Sequence, residues 1–418
     1  MIRDALLTQK RELERRLSEK YVPKEAKIKD LENDLIKVIV GPRRAGKSFF
    51  AIRALSALGA FGYANFDDER LYGSKNYDEI IAALHTIYGN PKRLLLDEIQ
   101  NLPKWELFVN RLARQGHSVT ITGSNSNLLS RELSTHLTGR HVATHIFPFS
   151  FREFLGMDGT ELTGAEARER LARYVELGGY PEPWVKKLDH KDYLATLFDS
   201  IVYKDIMRRF RIRSPQAIEA LAVYLISNAA REFSYNSLAR ITGCKSAHTT
   251  EKYLAYLKEA FIFFTLSRFS YKVREQLSSN KKIYCTDNGF IHAKAEKSSP
   301  DLGRLYENAV AIELKRRELS GGPKVYYWKN QQQEEVDFVV RSGAKTLELI
   351  QVCYDMGSAR ARGREVRALL KASKSLSCNK LLVLTHDFES EEKIEWFGIK
   401  RGVRFLPLWK WLLRPNQK

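Results

Sequence analysis

A short glycine-rich segment lies between an apolar run and a helix-forming run, and it constrains the fold more than any other feature. Residues 35–40 (LIKVIV) are typical of a buried strand, residues 41–48 read GPRRAGKS, and residues 48–58 continue with helical periodicity. In the pattern G-x-x-x-x-G-K-S, backbone N–H groups of the loop surround phosphate oxygens at the start of a helix. We therefore expect a nucleotide-phosphate loop in a strand–loop–helix unit.

The residues of this loop have separate roles in phosphate binding. In the pattern, the lysine reaches the β- and γ-phosphates and the next hydroxyl residue binds Mg²⁺, which assigns these roles to Lys47 and Ser48. ATP and Mg²⁺ are therefore the predicted cofactors. The residues predicted to contact the nucleotide are Gly41, Pro42, Arg43, Arg44, Ala45, Gly46, Lys47, Ser48 and Phe49.

A second apolar run ends in two acidic residues. Residues 93–98 read RLLLDE, so Asp97 and Glu98 follow a predicted buried strand. A carboxylate at such a strand end helps to place Mg²⁺, and we assign this role to Asp97. Glu98 is predicted to orient and polarise the attacking water, which indicates hydrolysis of ATP rather than binding alone.

Two further elements follow the strand-like run SVTIT at 118–122. Ser124 and Asn125 are predicted to sense the γ-phosphate, and the alternative is that they only form a turn. Arg140, in the segment LTGR, is predicted to act in trans on the nucleotide of a neighbouring copy, where it would offset transition-state charge. That role implies a homo-oligomer, and the alternative is an ordinary surface arginine.

In their order along the chain, these motifs resemble a group of archaeal and bacterial AAA+ ATPases. The matching segments are GPRRAGKS, LLLDEIQ, ITGSNSNLLS, LTGR and FPFSFREF, with KKIYCTDNGF, EEVDF and LIQVC further on. The resemblance implies ATP hydrolysis, a winged helix and a nuclease-like C-terminal fold of poorly assigned function. Alternating strands and helices independently favour a three-layer α/β domain at the N-terminal end.

The predicted fold class is α/β, with three parts of different character. We expect an N-terminal helix and a P-loop AAA+ domain over residues 1–155. A helical segment with a winged helix-turn-helix is expected over 156–290, and a restriction-endonuclease-like α/β domain over 291–418.

Positive charge is concentrated in the middle of the chain. The 418 residues carry a net charge of +19, and residues 201–282 contain 15 Lys plus Arg against 6 Asp plus Glu, so +9 lies there. This concentration favours nucleic acid, with DNA preferred, over the alternative of a lid or protein-interaction module. The predicted contacts are Lys245, His248, Thr249, Thr250 and Lys252 on an outward helix face, and Lys272, Arg274 and Lys282 around the wing.

The last third has the element order of the restriction-endonuclease-like fold but lacks part of its chemistry. The acidic candidates are Glu307, Glu335 and Asp337. Active members carry an acid-x-Lys pair on the next strand, which here reads Gln351-Val352-Cys353. An amide is a poor substitute for a carboxylate as a metal ligand, and a thiol supplies no ammonium charge. We therefore expect a nuclease-derived binding module rather than an active nuclease.

These observations favour a Mg²⁺-dependent ATPase that binds or remodels nucleic acid, with branched DNA as the preferred substrate. Two alternatives stay open at this point, namely an ATP-gated regulatory switch without a DNA role and an active metal-dependent DNA nuclease. No apolar run is long enough to span a membrane, and the tryptophan-rich residues 408–413 are expected to dock on the core. Four dispersed cysteines and a charged N-terminus favour a cytoplasmic protein without a membrane partner.

Overall fold

The computed structural model describes residues 1–125, 140–157, 159, 162–296, 301–357 and 359–414. They form two compact units. The first comprises Met1–Phe149 together with Glu259–Phe261, and the second comprises Ser150–Lys258 and Ile262–Lys418. The sequence predicted three domains, and the division of the second unit into two of them stays a prediction.

The first unit is built on a parallel five-stranded sheet in the order β2-β3-β4-β1-β5. This is the α/β arrangement that the sequence predicted. A short 3₁₀ turn, Ile99–Asn101, follows the third strand. The elements are α1 (Ile2–Ser18), β1 (Ile36–Val40), α2 (Lys47–Ser56), β2 (Gly62–Asn65), α3 (Tyr77–Tyr88), β3 (Arg93–Asp97), α4 (Trp105–Arg114), β4 (Ser118–Gly123) and β5 (His141–His145).

Helices cover both faces of this sheet, which explains why β1 is buried along its whole length. Alternate residues of a strand point to opposite faces. Val38 packs into one core with residues of α1, α3 and α4, whereas its neighbour Ile39 packs into a second core with residues of α2. A sheet buried on both faces needs nearly continuous apolar strands, and this accounts for the run LIKVIV.

The second unit begins with helices and continues with two helices joined by a tight turn and a small antiparallel sheet. Gly243 ends the first of these two helices at φ +69°, and the sheet has the order β6-β8-β7. This is the element order expected for a winged helix. A short helix occupies the predicted wing loop. The elements are α5 (Phe151–Leu155), α6 (Gly164–Leu177), α7 (Pro181–Lys186), α8 (His190–Ser200), a π-helical segment (Ile201–Arg208), α9 (Pro215–Ser227), β6 (Glu232–Phe233), α10 (Tyr235–Thr242), α11 (Ala247–Glu259), β7 (Phe263–Ser267), α12 (Val273–Ser278), β8 (Lys281–Cys285) and α13 (Asn288–Lys294).

The remainder of the second unit is a mixed six-stranded sheet with the order β13-β14-β12-β11-β10-β9. A hairpin of β10 and β11 precedes a long helix, after which β12 lies parallel to β11. The mixed α/β class of the last third is therefore as predicted. The elements are α14 (Leu302–Leu319), β9 (Lys324–Lys329), β10 (Glu335–Ser342), β11 (Lys345–Val352), α15 (Ala359–Ser375), β12 (Leu381–Thr385), β13 (Ser390–Trp396), β14 (Ile399–Pro407) and α16 (Leu408–Leu412).

The tryptophan-rich end of the chain is part of the core. Leu408, Trp411 and Leu412 of α16 are buried, and the ring of Trp411 lies under the guanidinium of Arg317 of α14. No helix among the described residues is long and apolar enough to cross a membrane.

Two buried asparagines connect four elements of the second unit. Asn308 of α14 is fully buried, accepts a hydrogen bond from the Cys285 N–H at 2.9 Å and donates to the Cys285 carbonyl at 3.1 Å. It also donates to Oδ1 of Asn288 at 2.7 Å. Asn288 in turn donates to the carbonyl oxygens of Val175 and Leu305. These bonds satisfy backbone groups that would otherwise be buried without partners.

Replacing Asn308 by alanine is expected to destabilise the second unit by about 3 kcal/mol, because buried backbone groups of Cys285 lose their partners. Urea unfolding followed by circular dichroism measures this as a lower midpoint. Gln332→Ala, at an exposed position, is the control and should unfold like the unchanged protein. Equal midpoints for the two variants would contradict the role assigned to the asparagine network.

Candidate functional site

The carboxyl ends of three parallel strands bring the predicted nucleotide-binding groups to one edge of the first sheet. The phosphate loop follows β1, Asp97 and Glu98 lie at the end of β3, and Ser124 follows β4. Open α/β sheets bind ligands in the crevice outside this edge. The strand order explains how residues far apart in the chain converge on one site.

Close packing and backbone conformation both require glycine in the phosphate loop. A Cβ atom on Gly41 would lie 1.8 Å from the carbonyl oxygen of Ile146, which no side chain can tolerate. Gly46 has φ +94° and is the N-cap residue directly before α2. Such backbone is strained for any residue with a side chain. The loop therefore brings its backbone to the N-terminus of α2 in a form suited to phosphate.

Lys47 and Ser48 extend from the first turn of α2 toward the acidic end of β3. The Lys47 ammonium is almost fully buried, donates to the carbonyl oxygen of Pro42 at 2.9 Å and lies 3.8 Å from Oε1 of Glu98. The Ser48 hydroxyl donates to Oδ1 of Asp97 at 2.9 Å. The four residues predicted to handle phosphate, metal and water thus form a single cluster.

Asp97 is a buried carboxylate that accepts hydrogen bonds from three hydroxyl groups. Besides Ser48, the hydroxyl of Tyr63 donates to Oδ2 at 3.1 Å, and Thr122 donates to Oδ1. Burial, followed by the charge of neighbouring Glu98, raises the pKa of Asp97, while the bonds from Thr122 and Ser48 oppose that rise. A nearby cation would stabilise the ionised form.

Glu98 is held in an unusual backbone conformation beside this carboxylate. Its φ is +49°, in the left-handed region, and its N–H donates to the Thr122 hydroxyl at 3.0 Å. The Gln100 amide donates to Oε2 of Glu98 and, at 3.4 Å, to the Ser124 hydroxyl. Strained backbone of this kind is concentrated at functional sites.

The charge state of Glu98 suits a base that orients water. Burial by itself would raise its pKa, but the Lys47 ammonium and the Gln100 amide lower the pKa below its usual value overall. Glu98 is therefore ionised at neutral pH, and its side chain remains partly accessible at 18%. An ionised, partly accessible carboxylate next to the phosphate loop can accept a hydrogen bond from water.

Sequence reasoning missed three groups that hold the acidic pair in place, namely Tyr63, Thr122 and Gln100. Thr122 is a polar residue in the apolar run of β4, and its position one strand away from Asp97 was the available signal. Tyr63 gave no signal, because an aromatic residue in a strand is most simply explained as core. Its hydroxyl also accepts from Arg16 of α1 at 3.3 Å.

Arg140 lies at the opposite edge of the sheet from the phosphate loop. It is exposed, and its carbonyl accepts from the N–H of Ile36 at the start of β1, whereas Gly41 follows the end of that strand. Arg140 is therefore not part of the phosphate site of its own chain. The rest of the LTGR segment and the end of ITGSNSNLLS lie outside the described residues. Asn125 is buried beside Ser124.

The predicted nucleic-acid residues are mostly exposed. Lys245, His248 and Lys252 are exposed around the N-terminal half of α11, Thr249 is half-buried, and Lys272 and Arg274 are exposed near α12. Two expectations were wrong. Thr250 is fully buried and donates to the Ser246 carbonyl at 3.0 Å, because it lies on the same face of α11 as the buried residues Tyr253, Leu254 and Leu257, which follow it by three, four and seven residues. Lys282 is buried among carboxylates and does not face solvent.

The structure brings together the acidic residues that the sequence singled out in the last third. Glu307 of α14 and Glu335 and Asp337 of β10 all lie within 3.2 Å of the Lys282 ammonium. Gln351 of β11 accepts from the Asp337 N–H at 3.2 Å. Within the described part of the chain, no group of three or more His, Cys, Asp and Glu side chains is arranged to hold a metal ion.

Comparison with protein families divides the chain into three matched regions. Residues 33–155 match the model of an AAA domain. Residues 168–301 and 302–410 match two different domains of unknown function. Among solved structures, the Walker-type ATPase PABY2304 of Pyrococcus abyssi is similar, with 14% identity, a TM-score of 0.43, and coverage of 68% of this chain and 93% of that one.

Two relatives are similar along most of the chain. One, from Methanocaldococcus jannaschii, is the uncharacterized protein MJ1544, which is 34% identical over 415 residues, 94% of this chain and 91% of the relative. The other, an uncharacterized protein of Haemophilus influenzae, is 30% identical over 355 residues, 81% of this chain and 86% of the relative. With the matched domain and the phosphate loop, these likenesses show that the chain belongs to a family of AAA+ P-loop ATPases that carry two further domains of unknown function.

Proposed function

We propose that the protein hydrolyses ATP in a Mg²⁺-dependent reaction and couples it to the binding or remodelling of DNA. The observation that carries the enzymatic half is the convergence of Lys47, Ser48, Asp97 and Glu98 at one sheet edge. The cluster supplies a cation for phosphate, oxygen atoms for a metal and an ionised base for water, as hydrolysis of a phosphoanhydride requires.

The oxygen groups present fit a Mg²⁺ ion. The Ser48 hydroxyl and the Asp97 carboxylate lie 2.9 Å apart at the N-terminus of α2, and Mg²⁺ in nucleotide sites is commonly held by one or two such oxygens together with phosphates and water. When bound, the ion would neutralise charge on the phosphate oxygens. Mg²⁺ at this point would also favour the ionised form of Asp97, whose pKa is raised by burial.

The remaining roles follow from the position of each side chain. Lys47 would exchange its hydrogen bond to the Pro42 carbonyl for phosphate oxygens, and this would also loosen its contact with Glu98. Glu98 would then orient water for in-line attack. The Gln100 side-chain amide donates to both Glu98 and the Ser124 hydroxyl and so links the two residues. Ser124 is therefore suited to sensing the γ-phosphate.

Arg140 supports a homo-oligomer in this proposal. Because it is exposed at the sheet edge away from the phosphate loop of its own chain, it could reach a nucleotide only on another copy. An arginine supplied in trans stabilises the charge that develops during phosphoryl transfer.

The basic face of the middle segment supports the nucleic-acid half. Lys245, His248 and Lys252 are exposed along the N-terminal part of α11, and Lys272 and Arg274 are exposed at α12. Tyr271, beside these, is 66% exposed, and a ring so exposed offers a surface for base stacking. Contacts of this kind are directed mainly to phosphate and are largely independent of sequence. Branched DNA is the proposed substrate class because the basic segment and the last third, repeated in an oligomer, could hold several arms.

Lys47→Ala is expected to abolish ATP turnover, because the β/γ-phosphate charge loses its partner. Glu98→Gln should lower kcat by about 10²- to 10³-fold with nucleotide binding kept, since the amide cannot accept a proton. Phosphate release under saturating ATP and Mg²⁺ measures both. Lys92→Ala, at an exposed position in the same unit, is the matched control. Turnover unaffected by either site variant would disprove the assigned roles.

Tyr63→Phe is expected to raise the Mg²⁺ concentration for half-maximal ATPase activity several-fold, more strongly at pH 6 than at pH 8. The lost hydroxyl favours the ionised form of Asp97, so its removal raises the pKa of that carboxylate and weakens metal binding at low pH. Tyr88→Phe, which removes a hydroxyl that does not contact Asp97, is the control. The same Mg²⁺ dependence in both variants would show that Tyr63 only packs.

Replacing Lys245 and Lys252 together by alanine is expected to weaken DNA binding for all sequences and to reduce the salt slope of log K by about 2, one for each lost phosphate contact. Fluorescence anisotropy with duplex and four-way branched DNA, between about 0.05 and 0.2 M salt, measures this. Lys191→Ala with Lys400→Ala, also exposed in the second unit, is the control of equal charge. An unchanged slope in the Lys245/Lys252 variant would place the DNA elsewhere.

A further inference from the structure

Lys282 of β8 places an ammonium group at the centre of a buried acidic cluster in the second unit. Its side chain is 3% exposed, and Nζ lies 2.8 Å from Oε1 of Glu307, 2.5 Å from Oε1 of Glu335 and 3.2 Å from Oδ1 of Asp337. An ammonium group has three N–H donors. Each of the three carboxylates therefore has one donor available to it from a single point.

The carboxylates are also positioned by groups other than Lys282. The Tyr284 hydroxyl donates to Oε1 of Glu307 at 2.8 Å, and the N–H of Val352 donates to Oδ2 of Asp337 at 3.0 Å. On the outer side, the Lys329 ammonium lies 3.9 Å from Oε2 of Glu335. The arrangement of the three acids is therefore built into α14, β10 and β11 and does not depend on the ammonium alone.

Gln351 gives this cluster an amide where a fourth carboxylate would increase its negative charge. Its Oε1 accepts from the Asp337 N–H at 3.2 Å, and its Nε2 donates to Oε2 of Glu365 at 2.6 Å. Both ends of the amide are thus used in holding Asp337 and Glu365. A carboxylate at this position could accept the first bond but could not donate the second.

The electrostatics of the cluster require a cation. Burial alone would lower the pKa of Lys282, but the surrounding acids raise it well above its usual value, so the ammonium stays charged. Burial and the charge of Asp337 raise the pKa of Glu307 to about 7 even with the ammonium beside it. Without a positive charge at this point, the buried carboxylate of Asp337 and the partly buried carboxylates of Glu307 and Glu335 would repel one another.

We propose that Lys282 is a tethered cation that stands in for a divalent metal among these three carboxylates, keeps such a metal out and locks β8 onto α14 and β10. With the ammonium in place, the three acids are not arranged to hold an ion. Three carboxylate oxygens around one buried point are the donor set that Mg²⁺ or Mn²⁺ prefers. Here the chain itself supplies the positive charge. The last third therefore acts without a metal of its own and does not cleave DNA.

Further contacts connect the small antiparallel sheet of β6, β7 and β8 to the C-terminal sheet close to Lys282. The Lys329 ammonium lies 2.8 Å from Oε1 of Glu232 on β6, and the Tyr327 hydroxyl donates to the Asn280 carbonyl at 2.6 Å. The N–H of Phe269 donates to the Tyr327 carbonyl at 2.7 Å. These bonds fix the small antiparallel sheet to β9, and Lys282 fixes it to β10 and α14.

The test compares full-length chains that all carry Asp97→Asn, so that Mn²⁺ at the phosphate loop does not interfere. With Lys282 present, we expect electron paramagnetic resonance to detect no tightly bound Mn²⁺. We also expect the melting temperature to stay the same when about 1 mM Mn²⁺ is added. Lys282→Met should lower the melting temperature by about 10 °C, bind one Mn²⁺ per chain and recover stability with Mn²⁺. Lys282→Met with Asp337→Asn should bind none.

Several outcomes would overturn the proposal. One is Mn²⁺ binding by the chain that retains Lys282, lost on Asp337→Asn, and another is Lys282→Met that binds no Mn²⁺. If Lys282→Met does not fold, Lys282→Met with Glu335→Gln removes one carboxylate together with the ammonium and is measured in the same way. Failure of both to fold in Mn²⁺ would show that a metal cannot replace the ammonium. Metal-dependent DNA cleavage by the unchanged protein, abolished by Asp337→Asn, would show an active site there.

Discussion

The first unit depends on one buried carboxylate that the fold surrounds with hydroxyl groups. Asp97 receives hydrogen bonds from Ser48 of α2, Tyr63 of β2 and Thr122 of β4, so three elements are tied to the end of β3 through a single side chain. Any shift of these elements changes the position of the carboxylate. The geometry of the phosphate loop and the packing of the sheet are therefore parts of the same arrangement.

The two units solve the same electrostatic problem in different ways. At the end of β3, burial raises the pKa of Asp97, and in the proposed function Mg²⁺ and phosphate complete the charge balance beside Lys47 and Ser48. In the second unit, the ammonium of Lys282 already completes it. The charge balance of the first site changes when a ligand binds, whereas the charge balance of the second site is fixed by a side chain. The first arrangement suits a site that binds and releases ligand, and the second suits a permanent link between elements.

The sequence predicted the parts of the nucleotide site that lie within short motifs. The phosphate loop and the acidic pair could be identified because their chemistry is set by neighbours in the chain, and the alternation of strands and helices indicated the parallel sheet. Tyr63 and Thr122 could not, because their role depends on which strands become neighbours in the sheet. The same limit explains Lys282, whose three acidic partners lie 25 to 55 residues away and which looked like one more basic residue of a wing. Thr250 is a different case, since its spacing of three, four and seven residues from the buried Tyr253, Leu254 and Leu257 already indicated the inward face of the helix.

The position of Lys282 affects how this protein can be divided. A boundary at residue 290, or between the family models at 301 and 302, separates the lysine from Glu307, Glu335 and Asp337. A fragment that begins there would keep the three carboxylates close together and leave their counter-charge on the discarded piece. Such a fragment is a poor choice for isolation, because β8 and the C-terminal sheet share one charge balance. A chimera that takes its last third from another protein would therefore have to take the lysine and its acids from the same source.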